Sequence, residues 1–175
     1  MGTICSSPGS TNVAKPVRAP PPPKWRRVLS SDDARKKYEM DGSLPVGAGS
    51  GLLELRGFLD DPILMKQIGM FGKDKKSFDH FMCWVDIQEF KSIGYGAEGF
   101  RRSKGQHIFQ KYLKEGAPLR INNIRLEYTQ NIGDVLEKAK TNRIEVEINL
   151  FDKIQHFCLN SIYNGKYALI IMLVL

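Results

Sequence analysis

The chain has 175 residues, a formal charge of +7 and 42% hydrophobic residues, enough for one domain with a core and a moderately basic surface. The basic excess is modest and partly confined to the first residues, which favours an acidic membrane or an acidic protein partner over a nucleic-acid groove. Cys5, Cys83 and Cys158 show no disulfide or zinc spacing, which points to a reducing compartment, and no apolar run near Met1 reads as a secretory signal.

Met1-Gly2-Thr3-Ile4-Cys5-Ser6 matches an N-myristoylation acceptor, with Gly2 exposed once Met1 is removed. Cys5 is placed for a second, thioester-linked acyl chain, and a stable anchor takes two signals. A third follows: up to Arg27 the charged residues are Lys15, Arg18, Lys24, Arg26 and Arg27, with no acid among them. Each cation near an anionic leaflet contributes about 1 kcal/mol. Trp25, among these cations, suits the headgroup level. The expectation is a peripheral protein on the cytoplasmic face of the plasma membrane.

Residues 1–51 read as a disordered, basic, Pro-rich tail. Pro20 to Pro23 is a stiff, extended run, read as a spacer in preference to a ligand for an SH3 or WW domain, and Pro45 to Gly51 reads as a flexible linker. Between them Ser31 to Met40 has the makings of a short exposed helix capped by Ser31, but it has almost no apolar face and is expected to be marginal.

From Leu52 the apolar spacing turns helical. Leu52, Leu55, Phe58 and Leu59 share a face, and Asp61-Pro62 starts a further helix bearing Ile63, Leu64, Ile68 and Phe71. The run from Lys73 to Lys76 reads as a solvated loop. Ser77 is placed to cap the next helix, with Asp79 at the positive end of its dipole and Phe81, Trp84, Val85 and Phe90 as its apolar load. Trp84 and Phe90 are core positions.

Glycines 94, 96 and 99 then make a loop. A helix is expected from Phe100 to Lys114, with Ile108, Phe109, Tyr112 and Leu113 inward and Arg101, Arg102 and Lys104 on a solvated face. Gly116 with Pro118 is a stop signal. Tyr128, Ile132, Val135, Leu136 and Ala139 make an amphipathic stripe. Strand-like alternation occurs only at Arg143 to Ile148. A last clear helix runs from Asn149 to Tyr163, with Leu150, Phe151, Ile154, Cys158 and Ile162 inward. Asn164-Gly165 turns the chain into the apolar run Ala168 to Leu175, which is far short of the roughly 20 residues that span a bilayer. The class is all-α, with the domain over residues 52–175.

The order of these pieces resembles the regulator-of-G-protein-signalling (RGS) domain. Four stretches carry the likeness: Asp61-Pro62-Ile63-Leu64-Met65; Phe81 to Lys91, where Trp84 is followed by Glu89-Phe90-Lys91; Ile108 to Leu113 with Gly116-Ala117-Pro118-Leu119-Arg120-Ile121-Asn122; and Phe151 to Gln155. The likeness covers the chain from about Leu52 to about Ile171. It implies a bundle of about nine short helices in two lobes. It further implies a surface that grips the switch regions of a heterotrimeric G-protein α subunit, GTP-bound or in the transition state, and speeds GTP hydrolysis. Such a domain supplies no catalytic group; the α subunit's own residues act on the water and the developing charge. No catalytic residue, metal or cofactor is therefore expected, and His80, His107 and His156 form no ligand or triad spacing. The expected state is a monomer.

By the resemblance, the contacts are Ser77, Asp79, His80 and Asn122. His80 stands where the family usually has an Asn, and a ring still donates and accepts hydrogen bonds without reproducing an amide. Read without the resemblance, Asn122 is equally an N-cap and Asp79 a helix-dipole acid. In the third contact region Gly165 and Leu169 replace an Asp and an Arg, Lys166 follows Gly165, and only the core position Tyr167 is kept. Each lost charge-assisted contact costs about 1.5–3 kcal/mol. Two functions therefore stand side by side: a membrane-associated activator of α-subunit GTP hydrolysis, and a membrane-tethered interaction module that has lost the activating surface.

Overall fold

The computed structural model describes residues 31–63, 65, 66 and 78–167. Gly2, Cys5, the basic leader, the proline run, Ser77 and its preceding loop, Leu169 and the apolar terminus lie outside them. The described residues carry six α-helices, two π-helical segments and no strand. The α-helices are α1 (Ser31–Met40), α2 (Ser50–Leu59), α3 (Phe78–Ser92), α4 (Glu98–Ile108), α5 (Leu126–Asn142) and α6 (Asp152–Ile162). The first π segment, Phe109–Leu113, continues α4, and the second, Tyr163–Tyr167, continues α6. Pro62, Ile63, Met65 and Lys66 are also helical, where Asp61-Pro62 signals a start.

The elements fall into two groups. α1 packs on α2, which packs on α6 and its π extension; α3, α4, α5 and the first π segment pack in sequence. The groups meet where α3 lies along α6. Phe81, Trp84, Ile87 and Phe90 of α3 are buried there, with Phe151, Ile154, Cys158, Leu159 and Ile162. Phe90 and Phe151 meet edge to face with centroids 5.1 Å apart. The cysteines Cys83 and Cys158 are buried on these two helices, and burial followed by the neighbouring thiol pushes the Cys83 thiol well up. Most core positions read from the helical periodicity are buried, but Ile63 is 69% exposed, and Leu53, Ile87 and Leu159 join the core although that reading does not single them out.

Three local expectations change. The segment before Leu52 is not a loose tail as far back as Ser31, because α1 is docked. Tyr38 is only 5% exposed and Leu44 only 1%. The Arg56 guanidinium of α2 lies between two rings, 4.7 Å from the Tyr38 centroid and 5.0 Å from that of Trp84. It also pairs with Asp60 at 2.5 Å, and Tyr38 donates its hydroxyl proton to the same carboxylate at 2.7 Å. The turn after α1 is clamped by Lys91 donating to the Asp41 carbonyl at 3.0 Å and by His156 Nε2, 2.8 Å from the Gly42 carbonyl. Burial drives His156 below its ordinary pKa, so the neutral ring makes this contact near neutrality. A segment with few apolar residues is held by long-range polar partners that its own periodicity does not reveal.

The expected solvated face of α4 is the second change. Arg101 is 2% exposed, pairs with Glu145 at 2.5 Å and donates to the carbonyls of Ile93 and Gly94 at 2.8 and 3.1 Å. Arg102 donates to the Ala139 carbonyl at 3.0 Å, and Lys104 reaches Asp86 at 2.6 Å. These cations tie α4 to its neighbours. The third change is at 143–148, which forms no strand: Arg143 is left-handed at φ 54° and Ile148 begins a turn. Val146 is buried while Ile144, 55% exposed, and Ile148 are not, although a strand would set all three on one face, so the alternation is not kept, and among the described residues no strand lies alongside.

Two outcomes check this packing. Tyr38→Ala removes a buried ring, a hydrogen bond to Asp60 and one side of the Arg56 stack, so a urea titration is expected to show a loss of about 2–4 kcal/mol. Limited proteolysis should cut first within 31–48; an unchanged midpoint and digestion pattern would mean that α1 is not docked. The second outcome concerns acid. Burial alone would raise the Asp60 and Asp86 carboxyls, but Arg56, Tyr38 and Lys37 around the first, and Lys104, Tyr112 and Lys111 around the second, hold both below the ordinary value. A depressed folded pKa contributes stability that is present above the unfolded value of about 3.9 and is lost as pH falls through it towards the folded one. Asp86→Asn is therefore expected to be less stable than the native protein at neutral pH, with the gap closing over that acid window. A gap independent of pH would contradict it.

Candidate functional site

The first turn of α3 carries Asp79 and His80, both half-buried. Acid at this end of a helix is favoured by the dipole, which suits Asp79 to the first turn of α3. His80 lies against Phe157 of α6, with ring centroids 5.8 Å apart and a tilt of 39°. One turn further along α6 is Ser161, on the same face as Phe157. These two helices supply two walls of a depression of about 530 Å³.

The third wall is the loop between the first π segment and α5, and its shape follows from the sequence. Gly116 has φ of +76°, the left-handed conformation that the stop signal requires. The Lys114 N–H closes the π turn on the Phe109 carbonyl at 2.8 Å. The chain then returns along that segment, with Leu119 N–H on the Lys111 carbonyl at 3.1 Å and Ile121 N–H on the Tyr112 carbonyl at 2.9 Å. Ile121 is buried, so Arg120 and Asn122 on either side of it point outward into the depression. Asn123 then takes φ of +68°, a conformation that an amide side chain tolerates and most residues do not.

The structure thus brings together Asp79, His80 and Asn122, which lie far apart in the sequence, around one cavity. Asn122 is not an N-cap, because α5 begins at Leu126 after Arg125. Ser77, the remaining candidate, lies outside the described residues. Gly165 is described, with an extended backbone at φ −72° and ψ 171° inside the second π segment, and Leu169 is not. Sequence reasoning missed Arg120, Asn123, Phe157 and Ser161. A helical wheel of α6 puts Phe157 one turn from the buried Ile154 and gives no sign that its ring lines a cavity. Only the alternation Arg120-Ile121-Asn122 signalled that Arg120 shares a side with Asn122.

The arrangement offers a carboxylate, an imidazole, amides, a hydroxyl and a guanidinium around an apolar floor. Among the described residues no three His, Cys, Asp or Glu side chains gather as metal ligands. Such a site suits recognition of a protein segment by shape and hydrogen bonds. No curated protein matches the chain. The model of the Regulator of G protein signaling domain matches residues 54–169, from the middle of α2 to just past the second π segment, and so takes in all the walls of the cavity. With more than half of its length matched and an all-helical fold in the expected order, the chain belongs to the regulator-of-G-protein-signalling domain family.

Proposed function

We propose that this protein binds the switch regions of a heterotrimeric G-protein α subunit through the cavity lined by Asp79, His80 and Asn122, and accelerates GTP hydrolysis. The observation that carries the reading is the convergence of these residues on one depression within an RGS domain. The chemistry asked of the protein is positional. A surface that holds the switches in the transition-state arrangement lowers the barrier without donating or accepting a proton itself. The candidate contacts are fixed, Asp79 and His80 by a helix with a buried face and Asn122 by the hydrogen-bonded loop, so little ordering cost is left for the encounter.

Single-turnover GTP hydrolysis with a panel of purified α subunits tests it. The native protein should accelerate at least one of them, and Asn122→Ala should reduce the acceleration by about five- to a hundredfold at unchanged stability. Gly165, standing where the family has an Asp, favours weak or selective activity and supports a second reading, an RGS-fold interaction module tethered to a membrane. That reading replaces the first if no α subunit in the panel is bound or accelerated.

The site of action proposed is the cytoplasmic face of the plasma membrane, with the protein held by an acyl chain on Gly2, a second on Cys5 and the basic leader on anionic lipid. Gly2→Ala should move the protein from the membrane to the soluble fraction. Identical fractionation of the two forms would refute the anchor.

A further inference from the structure

We infer that Arg120 is a specificity-determining residue of this surface and that it receives an acidic side chain of the bound α subunit; the inference rests on the α-subunit reading above. Arg120 borders the cavity with an exposed side chain, and among the described residues it forms no ion pair. The other arginine-rich part of the fold behaves differently. Arg56 and Arg101 are buried and paired, and Arg102 is bonded to a backbone carbonyl. Those guanidiniums hold the fold together, whereas that of Arg120 has no such duty.

Its backbone is nevertheless fixed. The residues on both sides donate their N–H groups to the π segment, the Arg120 N–H donates to the Ala117 carbonyl at 3.3 Å, and Ile121 is buried beside it. The cation is thus presented from a rigid support at the rim of the site. A guanidinium binds carboxylate through paired, charge-assisted hydrogen bonds, so an acidic side chain is the partner group it recognises best. Asp79, which lines the same cavity from α3, repels a second acid. The two walls therefore read opposite charges, which fixes the register of the docked segment and selects α subunits with an acid on the Arg120 side. The Phe157 ring, packed against His80, adds an apolar surface to the same cavity.

The test compares the full chain with Arg120→Glu, Arg120→Lys and Lys138→Glu, titrated against purified α subunits loaded with GDP and aluminium fluoride at low and high salt. Lys138 is an exposed residue of α5 outside the cavity lining and controls for net charge. Circular dichroism confirms that each variant is folded. Arg120→Glu should weaken binding by about tenfold or more and flatten its salt dependence, Arg120→Lys should retain part of the affinity, and Lys138→Glu should change little. Reversing one acidic switch residue of the α subunit to Lys should then restore binding to Arg120→Glu. If the native chain binds and Arg120→Glu binds equally well, or loses no more than Lys138→Glu, this inference is overturned while the α-subunit reading stands. If the native chain binds none of the α subunits, both fall.

Discussion

The buried carboxylate of Asp86 is the constraint on which the arrangement of this domain turns. It sits in the middle of α3, and three groups from later in the chain converge on it: Lys104 Nζ at 2.6 Å, Lys111 Nζ at 3.0 Å and the Tyr112 hydroxyl at 2.6 Å. An uncompensated charge in that position would be strongly destabilising, so α4 and the π segment must dock on α3 in the one register that satisfies it. Burial, then the hydrogen bond to Asp86, raises the Tyr112 pKa far above its ordinary value, so the phenol stays a donor at all ordinary pH. The carbonyl of the same Tyr112 accepts from Ile121, and Asn122 follows directly. One helix thus carries Asp79 and His80 at its start and, from its middle, fixes the loop that faces them.

A second polar cluster does for α1 what apolar area cannot. α1 has few apolar residues, yet Arg56 stacks on Tyr38 and Trp84 at once, and Asp60 collects Arg56, Tyr38 and Lys37. A partly desolvated cation over two rings contributes about 0.5–2 kcal/mol with each. With the Lys91 and His156 contacts to the following turn, α1 is joined to α2, α3 and α6 although the family match begins only at Glu54. The chain before Ser31 therefore leaves from a docked helix, and an anchor on the leader would act on a domain held at that point.

The candidate surface combines rigid walls with mixed polarity. Its polar groups come from a helix start and a hydrogen-bonded loop, and its floor is the Phe157 ring on a helix buried along its other side. A partner segment would meet preformed hydrogen-bonding groups, which limits the entropy lost on docking. Relative to the family pattern, Gly165 removes a charged group beyond α6, whereas His80 exchanges an amide for a ring that still donates and accepts hydrogen bonds.

The sequence by itself determined the class, most of the helices and most of the core. Trp84, Phe90, Ile132, Leu136, Ile154 and Cys158 are buried because helical periodicity is a local property, and Gly116 stops the chain because its left-handed φ is a local demand. The grouping of Asp79, His80 and Asn122 was legible only through the family likeness, since nothing local relates a helix start to a loop about forty residues later. Tertiary structure alone decided three things: that Ser31–Met40 is docked, that Arg101 and Lys104 are drawn in rather than solvated, and that Arg120 and Phe157 complete the cavity. The physical reason is common to all three. Whether a charged or aromatic side chain faces water or a partner is settled by groups distant in sequence, and the cost of burying a charge is offset only when the fold brings its counter-ion within reach.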